Sequence, residues 1–167
     1  MTNNEPASVH VEVLLRHRDI DALGHVNQAV YHELLEEVRA AFFRRALPEL
    51  PFTGYVLAHV ELDYRHEVRI EDRQLVGECH AGRLGRSSIE LLHRLLLGDG
   101  TVAVEGRAVL VAWDQESRRA RPLTQDEREA LHSAGDRRDA AGAEPPTSSP
   151  ATQASRPGPG SEASPGT

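Results

Sequence analysis

Residues 9–15 alternate in part between apolar and polar positions, with Val9, Val11 and Val13 followed by Leu14 and Leu15, the two-residue period of a strand with one face on a core. The period changes after a polar loop. Between residues 28 and 47 the apolar side chains Val30, Leu34, Leu35, Val38, Ala41, Phe42 and Ala46 recur at helical spacing, which predicts one long helix with a single buried stripe. Asn27, whose side chain can accept from an unpaired N–H of the first turn, is the expected cap, and Pro48 the expected stop. Beyond Pro51 the two-residue period returns in four stretches, 55–69, 74–83, 88–97 and 102–113. Gly85 and the Gly98-Asp99-Gly100 turn separate the last three, so these are expected as antiparallel hairpins. Residues 124–132 read as a short closing helix, with Thr124 as cap and Glu127, three positions on, completing a capping box.

The order is strand, helix, then four strands in succession. Without alternation of strand and helix a doubly wound parallel sheet is excluded, and the pattern predicts an α+β domain in which one antiparallel sheet wraps around one long central helix. The domain is expected to span 1–133. After Leu131 there is no Val, Ile, Leu, Met, Phe, Tyr or Trp, so 134–167 read as a disordered tail rich in Pro, Gly, Ser and Ala.

Composition narrows the chemistry. All 19 basic residues are arginine. The absence of lysine removes Walker-type phosphate loops, Schiff bases and Ser-Lys pairs. A net charge of −7 argues against a broad nucleic-acid footprint. Cys79 is the only cysteine, so an internal disulfide is impossible and a reducing cytoplasm is the expected setting. No apolar run approaches the roughly 20 residues that span a bilayer, and no membrane partner is expected.

The loop before the helix concentrates polar groups. Asp21 sits just ahead of a helix start, where unpaired N–H groups and the positive end of the helix dipole collect, a place that stabilises a negative oxygen. A carbonyl laid there would have its developing oxyanion held while a carboxylate attacks the carbon or activates water. Loop acids also commonly satisfy backbone N–H groups, and Asp19 is read that way, partnered by Arg18 or a backbone donor. His25 is open between polarising a carbonyl or orienting water and holding the turn. Asp19, Asp21 and His25 form a weak metal trio without a second cluster, and no metal or organic cofactor is expected. Arg83, Arg86, Ser87 and Ser88 gather at one hairpin, where arginine forks suit the phosphates of a ligand, although a charged hairpin is also ordinary. His59 and Glu61 should share one face of their strand.

The segment Asp19-x-Asp21-x-x-Gly24-His25-Val26-Asn27-x-x-x-Tyr31, followed by Glu36 and Arg39, resembles the hotdog-fold acyl-CoA thioesterases of the 4-hydroxybenzoyl-CoA thioesterase family. The resemblance runs over roughly residues 9–125. Where the family has Tyr-x-x-Pro-x-x-x-Gly-Asp, this chain reads Tyr64-Arg65-His66-Glu67-Val68-Arg69-Ile70-Glu71-Asp72, without the proline and with Glu71 for the glycine. The resemblance implies hydrolysis of an acyl-CoA to free acid and CoA. It places the base or nucleophile on Asp21 and the oxyanion donor on the backbone N–H of Gln28. His25 and Asn27 complete the catalytic set, and Tyr31, His59, Arg83, Arg86, Ser87 and Ser88 are expected to bind substrate. Glu36 or Glu37 is the fallback base, as in a second branch of these enzymes. An acyl group on an acyl carrier protein is the alternative substrate, and a non-catalytic acyl-thioester binder the alternative role. Unpaired sheet edges and the resemblance together predict a homodimer or homotetramer with a shared site.

Overall fold

Every strand of the computed structural model pairs antiparallel with its neighbours, and the model describes residues 8–49 and 54–133. The expected tail, 134–167, lies outside the described residues. The elements are β1 (Ser8–Leu14), α1 (Gln28–Ala46), β2 (Tyr55–Tyr64), β3 (Gln74–Leu84), β4 (Ser88–Leu96), β5 (Val102–Asp114), β6 (Arg119–Ala120) and α2 (Gln125–Ser133). The sheet runs β1-β3-β4-β5-β2, with β6 paired to the end of β5, so β1 and β2 are the edges.

Alternation decides which face is buried. Along β4, Ile89, Leu91, His93 and Leu95 point inward and are at most 3% exposed, whereas Leu92 between them is 37% exposed. Leu34, Leu35, Val38, Phe42 and Phe43 of α1 lie within the same core as Val13, Leu75, Cys79 and Ile89. Each large apolar side chain removed from water contributes roughly 1.5–3 kcal/mol before chain entropy is counted. The helix comes so close to β3 at Gly77 that a Cβ there would stand 2.2 Å from Cγ2 of Val38. Only glycine allows that approach.

The helix ends follow local chemistry. Asn27 Oδ1 accepts from the Ala29 N–H at 2.9 Å, and the helix stops at Ala46, two residues before Pro48. At α2 the capping box is reciprocal: the Glu127 N–H donates to Thr124 Oγ1 at 3.1 Å and the Thr124 N–H donates to Glu127 Oε2 at 2.7 Å. Glu127 also accepts from the Tyr55 hydroxyl at 2.5 Å and from both terminal nitrogens of Arg121, at 2.9 and 2.7 Å. Burial of this side chain, only 1% exposed, would raise its carboxyl, but these donors outweigh it and pull the group down to about 2.

Two sequence expectations need correction. The strand foreseen over 55–69 ends at Tyr64. The N–H groups of Arg65 and His66 both turn to the carbonyl of Ala103, and Val68 then leaves the sheet to become fully buried, its carbonyl accepting from the Val26 N–H at 2.8 Å. The short β6 was not foreseen; two residues carry too little pattern to read.

One buried pair lacks the usual hydrogen bonds. Among the described residues Arg39 and His93, 4% and 3% exposed, leave Arg39 Nη1 and both His93 ring nitrogens without a hydrogen-bond partner. Burial, with Arg39 and His32 nearby, pushes the His93 imidazole down to about 4.

Candidate active site

Residues 20–26 close into a small loop because backbone groups on its two sides bond each other. Ile20 bridges Val26, the Asp21 N–H donates to the His25 carbonyl at 2.9 Å, and the Gly24 N–H donates to the Asp21 carbonyl at 3.1 Å. Gly24 turns the chain at φ +81°, a conformation costly for residues with a Cβ. Asp19 holds the base of the loop: it is 3% exposed, its Oδ2 accepts from the Arg16 N–H at 2.7 Å, and its carbonyl accepts from the Asn27 N–H at 2.8 Å. Arg18 stands 3.8 Å away, so the structural partner of Asp19 is chiefly backbone.

Asp21 is held differently. One oxygen accepts from the Leu23 N–H at 2.8 Å and, at 3.5 Å, from the His25 N–H, while the residue stays partly exposed on a cleft of about 480 Å³. His25, Gln28 and Tyr31 share that cleft on the helix side; Tyr64, His66 and Glu67 close it from the strand side. Asn27 satisfies the Ala29 N–H, and among the described residues the Gln28 N–H meets no acceptor. A donor at the positive end of α1 is thus available beside a carboxylate. Tyr31 is 5% exposed and packs edge-on against Tyr64 with ring centres 5.3 Å apart. Burial pushes its phenol up to about 12, so it is a neutral hydrogen-bonding group and not a base.

Glu67 was not among the residues the sequence singled out. Its Oε2 lies 2.8 Å from His25 Nε2, and its Oε1 lies 2.5 Å from Arg69 Nη2. The only signal was a titratable residue in place of the proline of the Tyr-x-x-Pro pattern.

With this geometry in hand, comparison decides the lineage. The model of a family described as the thioesterase-like superfamily matches residues 15–131. The chain belongs to the thioesterase-like superfamily. A thioesterase from Thermus thermophilus, solved with coenzyme A and Zn, is 32% identical over 77% of this chain and 95% of that one, with a TM-score of 0.66. Two further structures share the fold. One, described as a predicted thioesterase from Bacillus stearothermophilus, has a TM-score of 0.69 at 23% identity, covering 77% of this chain and 96% of that one. The other, a 1,4-dihydroxy-2-naphthoyl-CoA thioesterase from Synechocystis, has a TM-score of 0.65 at 14% identity, covering 75% and 96%. No curated protein sequence matches this one.

In this member of the thioesterase-like superfamily the remaining expected residues lie apart from the cleft. Arg83, Arg86, Ser87 and Ser88 form the β3–β4 hairpin, where Ser87 accepts from the Ala112 N–H and Arg86 from the Leu123 N–H. The cleft lies at the Ala103 end of β5, where the Arg65 N–H bonds. The nine residue-to-residue steps from Ala103 to Ala112 span about 30 Å at roughly 3.3 Å each. His59 is on the sheet face away from α1, 3.5 Å from Glu61, whose carboxylate also binds Arg107. The two do share a face. Among the described residues no group of three or more His, Cys, Asp or Glu is placed to hold a metal ion, and no helix is long and apolar enough to cross a membrane.

Proposed function

We propose that this chain hydrolyses an acyl-CoA thioester to a free acid and CoA at the Asp21 cleft, in the cytoplasm. The observation that carries the reading is the juxtaposition of a carboxylate, fixed by its own loop and open to a cleft, with the unpaired Gln28 N–H at the start of α1. The thioester carbonyl oxygen takes the Gln28 N–H, which holds the negative charge that develops as the carbon becomes tetrahedral. Asp21 removes a proton from the water that attacks the carbon, or attacks the carbon itself to give a mixed anhydride that water then hydrolyses; on either route the C–S bond breaks and the leaving thiolate takes its proton from the Asp21 carboxyl or from water. Asn27 supports the donor by capping the same turn, and Tyr31 with Tyr64 supplies an aromatic wall for the acyl group. Because the proposed oxyanion donor is backbone, replacing the Gln28 side chain should cost far less than replacing Asp21.

The same reading places the working unit in a homo-oligomer. Among the described residues strand β2 is an edge that pairs only with β5, and it exposes Val56, Leu57 and Tyr64. If two copies join antiparallel along β2 about a two-fold axis, the Tyr64 end of one meets the Tyr55 end of the other. Tyr55 is opposite Ala112, next to the Arg83–Ser88 hairpin, so each hairpin would reach the other copy's cleft and offer its arginines to the CoA phosphates. An approach impossible within one chain becomes possible between two.

The decisive experiment is hydrolysis of acyl-CoA by the wild type and by Asp21→Asn. The substitution should lower kcat by roughly 10²- to 10⁴-fold with folding intact, the range typical of a lost acid–base group. An unchanged kcat in the folded variant would refute the assignment and direct attention to Glu36 or Glu37.

A further inference from the structure

His25 is held by a carboxylate in a place where the proline of the Tyr-x-x-Pro pattern has no hydrogen-bonding group to offer. Counting from Tyr64, the proline position falls on Glu67. Glu67 Oε2 stands 2.8 Å from His25 Nε2, and the other oxygen is tied to Arg69 at 2.5 Å. The two segments cannot drift apart freely, because the Val26 N–H donates to the Val68 carbonyl at 2.8 Å between a residue 5% exposed and one fully buried. A third contact, His66 Nδ1 at 2.7 Å from the Glu67 carbonyl, steadies the same backbone. His25 and Glu67 themselves are about 40% exposed and both border the cleft, so the pair is open to a bound molecule.

We propose that Glu67 is a positioning residue for hydrolysis at the Asp21 cleft: it fixes the His25 imidazole with its proton on Nε2, so that Nδ1 alone can accept a proton or hydrogen bond from water or substrate. The inventory of donors and acceptors decides the tautomer. A carboxylate is acceptor only, so a neutral imidazole can bond it through Nε2 only by donating, and the lone pair is left on Nδ1. Arg69 occupies the second carboxylate oxygen and stops Glu67 from turning away. The His25 backbone is meanwhile clamped to Asp21 by the 2.9 Å bond from the Asp21 N–H. One loop therefore carries the carboxylate and the imidazole at fixed relative positions, with Glu67 setting the imidazole's tautomer.

The inference rests on the hydrolytic reading, and the test keeps the two separable. Side-chain nitrogen NMR on the wild-type protein should find His25 protonated on Nε2. In Glu67→Gln, whose amide can also donate, the signal should shift to a mixture of tautomers, and kcat should fall about tenfold or more, with KM nearly unchanged. Arg69→Gln should give the same NMR change in smaller measure. A His25 proton on Nδ1 in the wild type, or a Glu67→Gln protein with unaltered tautomer and kcat, would overturn the proposal while leaving Asp21 in place. Should the wild type hydrolyse no acyl-CoA, the hydrolytic reading falls, and a fully active Asp21→Asn removes only Asp21 as the base; in both cases the NMR result still decides the tautomer. Because the ring state is read in the folded wild type, poor folding of a variant cannot hide the answer.

Discussion

Two carboxylates bracket β2, and they are used in opposite ways. Glu127 bonds Tyr55 at the first residue of the strand; Glu67 lies three residues past the last. Each has an arginine, but Glu127 is 1% exposed with both oxygens taken by four protein donors, whereas Glu67 is about 40% exposed and spends one oxygen on the cleft's histidine. A buried carboxylate surrounded by donors is committed to holding α2 against the sheet. A half-exposed one can be costly to neither fold nor solubility, and its orientation is free to serve a bound molecule. The end of the sheet near α2 is therefore built for stability, and the Asp21 end for access.

That contrast breaks if removing Glu127 harms chemistry more than folding. Glu127→Ala leaves the buried Tyr55 hydroxyl and the partly exposed Arg121 without their acceptor, and truncating one partner of such a network costs about 3–5 kcal/mol. Denaturant unfolding should register a loss of that size, and kcat per folded molecule should stay within about twofold. A stable, inactive Glu127→Ala protein would invert the division between the two ends.

The parts legible in the sequence were those governed by neighbours along the chain. Asn27 as cap, the stop before Pro48 and the Thr124–Glu127 box each involve residues within a few positions, so their chemistry can be read directly. The Asp21 loop was legible for the same reason. What was not legible depends on sheet register. Glu67 meets His25 across 42 positions only because Val68 leaves the sheet to bond Val26. The strand expected to continue to 69 looked continuous because Val68 and Ile70 keep the apolar period, yet Val68 packs off the sheet. Likewise the hairpin arginines could be grouped with one another but not placed relative to Asp21, since their separation is set by the length of β5.

A smaller effect separates the core from the α2 end by pH. Native His93 resists protonation down to about 4, against 6.5 in the unfolded chain, so below 6.5 the unfolded state binds more protons and stability falls as the pH drops toward 4. Arg39 and His32 of α1 face it and oppose its charge. Glu127 acts lower: its contribution is complete above 4.5 and is lost as the pH falls toward about 2. Stability measured in urea across pH should therefore decline in two windows, each amounting to about 3 kcal/mol when complete. His93→Leu should flatten the upper window and Glu127→Ala the lower one. A single shared window abolished by either substitution would mean that the two regions are one electrostatic unit.

The smallest expected effect tests whether the two ends communicate through α1. Gly77→Ala drives a methyl to within 2.2 Å of Val38 Cγ2, so the helix must lift from β3 or Val38 must move. Overpacking of this kind costs about 1–3 kcal/mol. Because α1 carries Gln28 and Tyr31 at its first turns, a lifted helix also shifts the proposed oxyanion donor relative to Asp21, and kcat should drop along with stability. Val38→Ala removes the clashing methyls, so the Gly77→Ala, Val38→Ala double variant should be more stable than the sum of the single losses predicts, a coupling within about 0.5–3 kcal/mol. Recovery of kcat in the double variant would tie cleft geometry to the seating of the helix. If kcat is unaffected by Gly77→Ala despite the loss of stability, the Asp21 loop is held by its own backbone bonds and by Val68, and the active end is independent of how deeply the helix sits on the sheet.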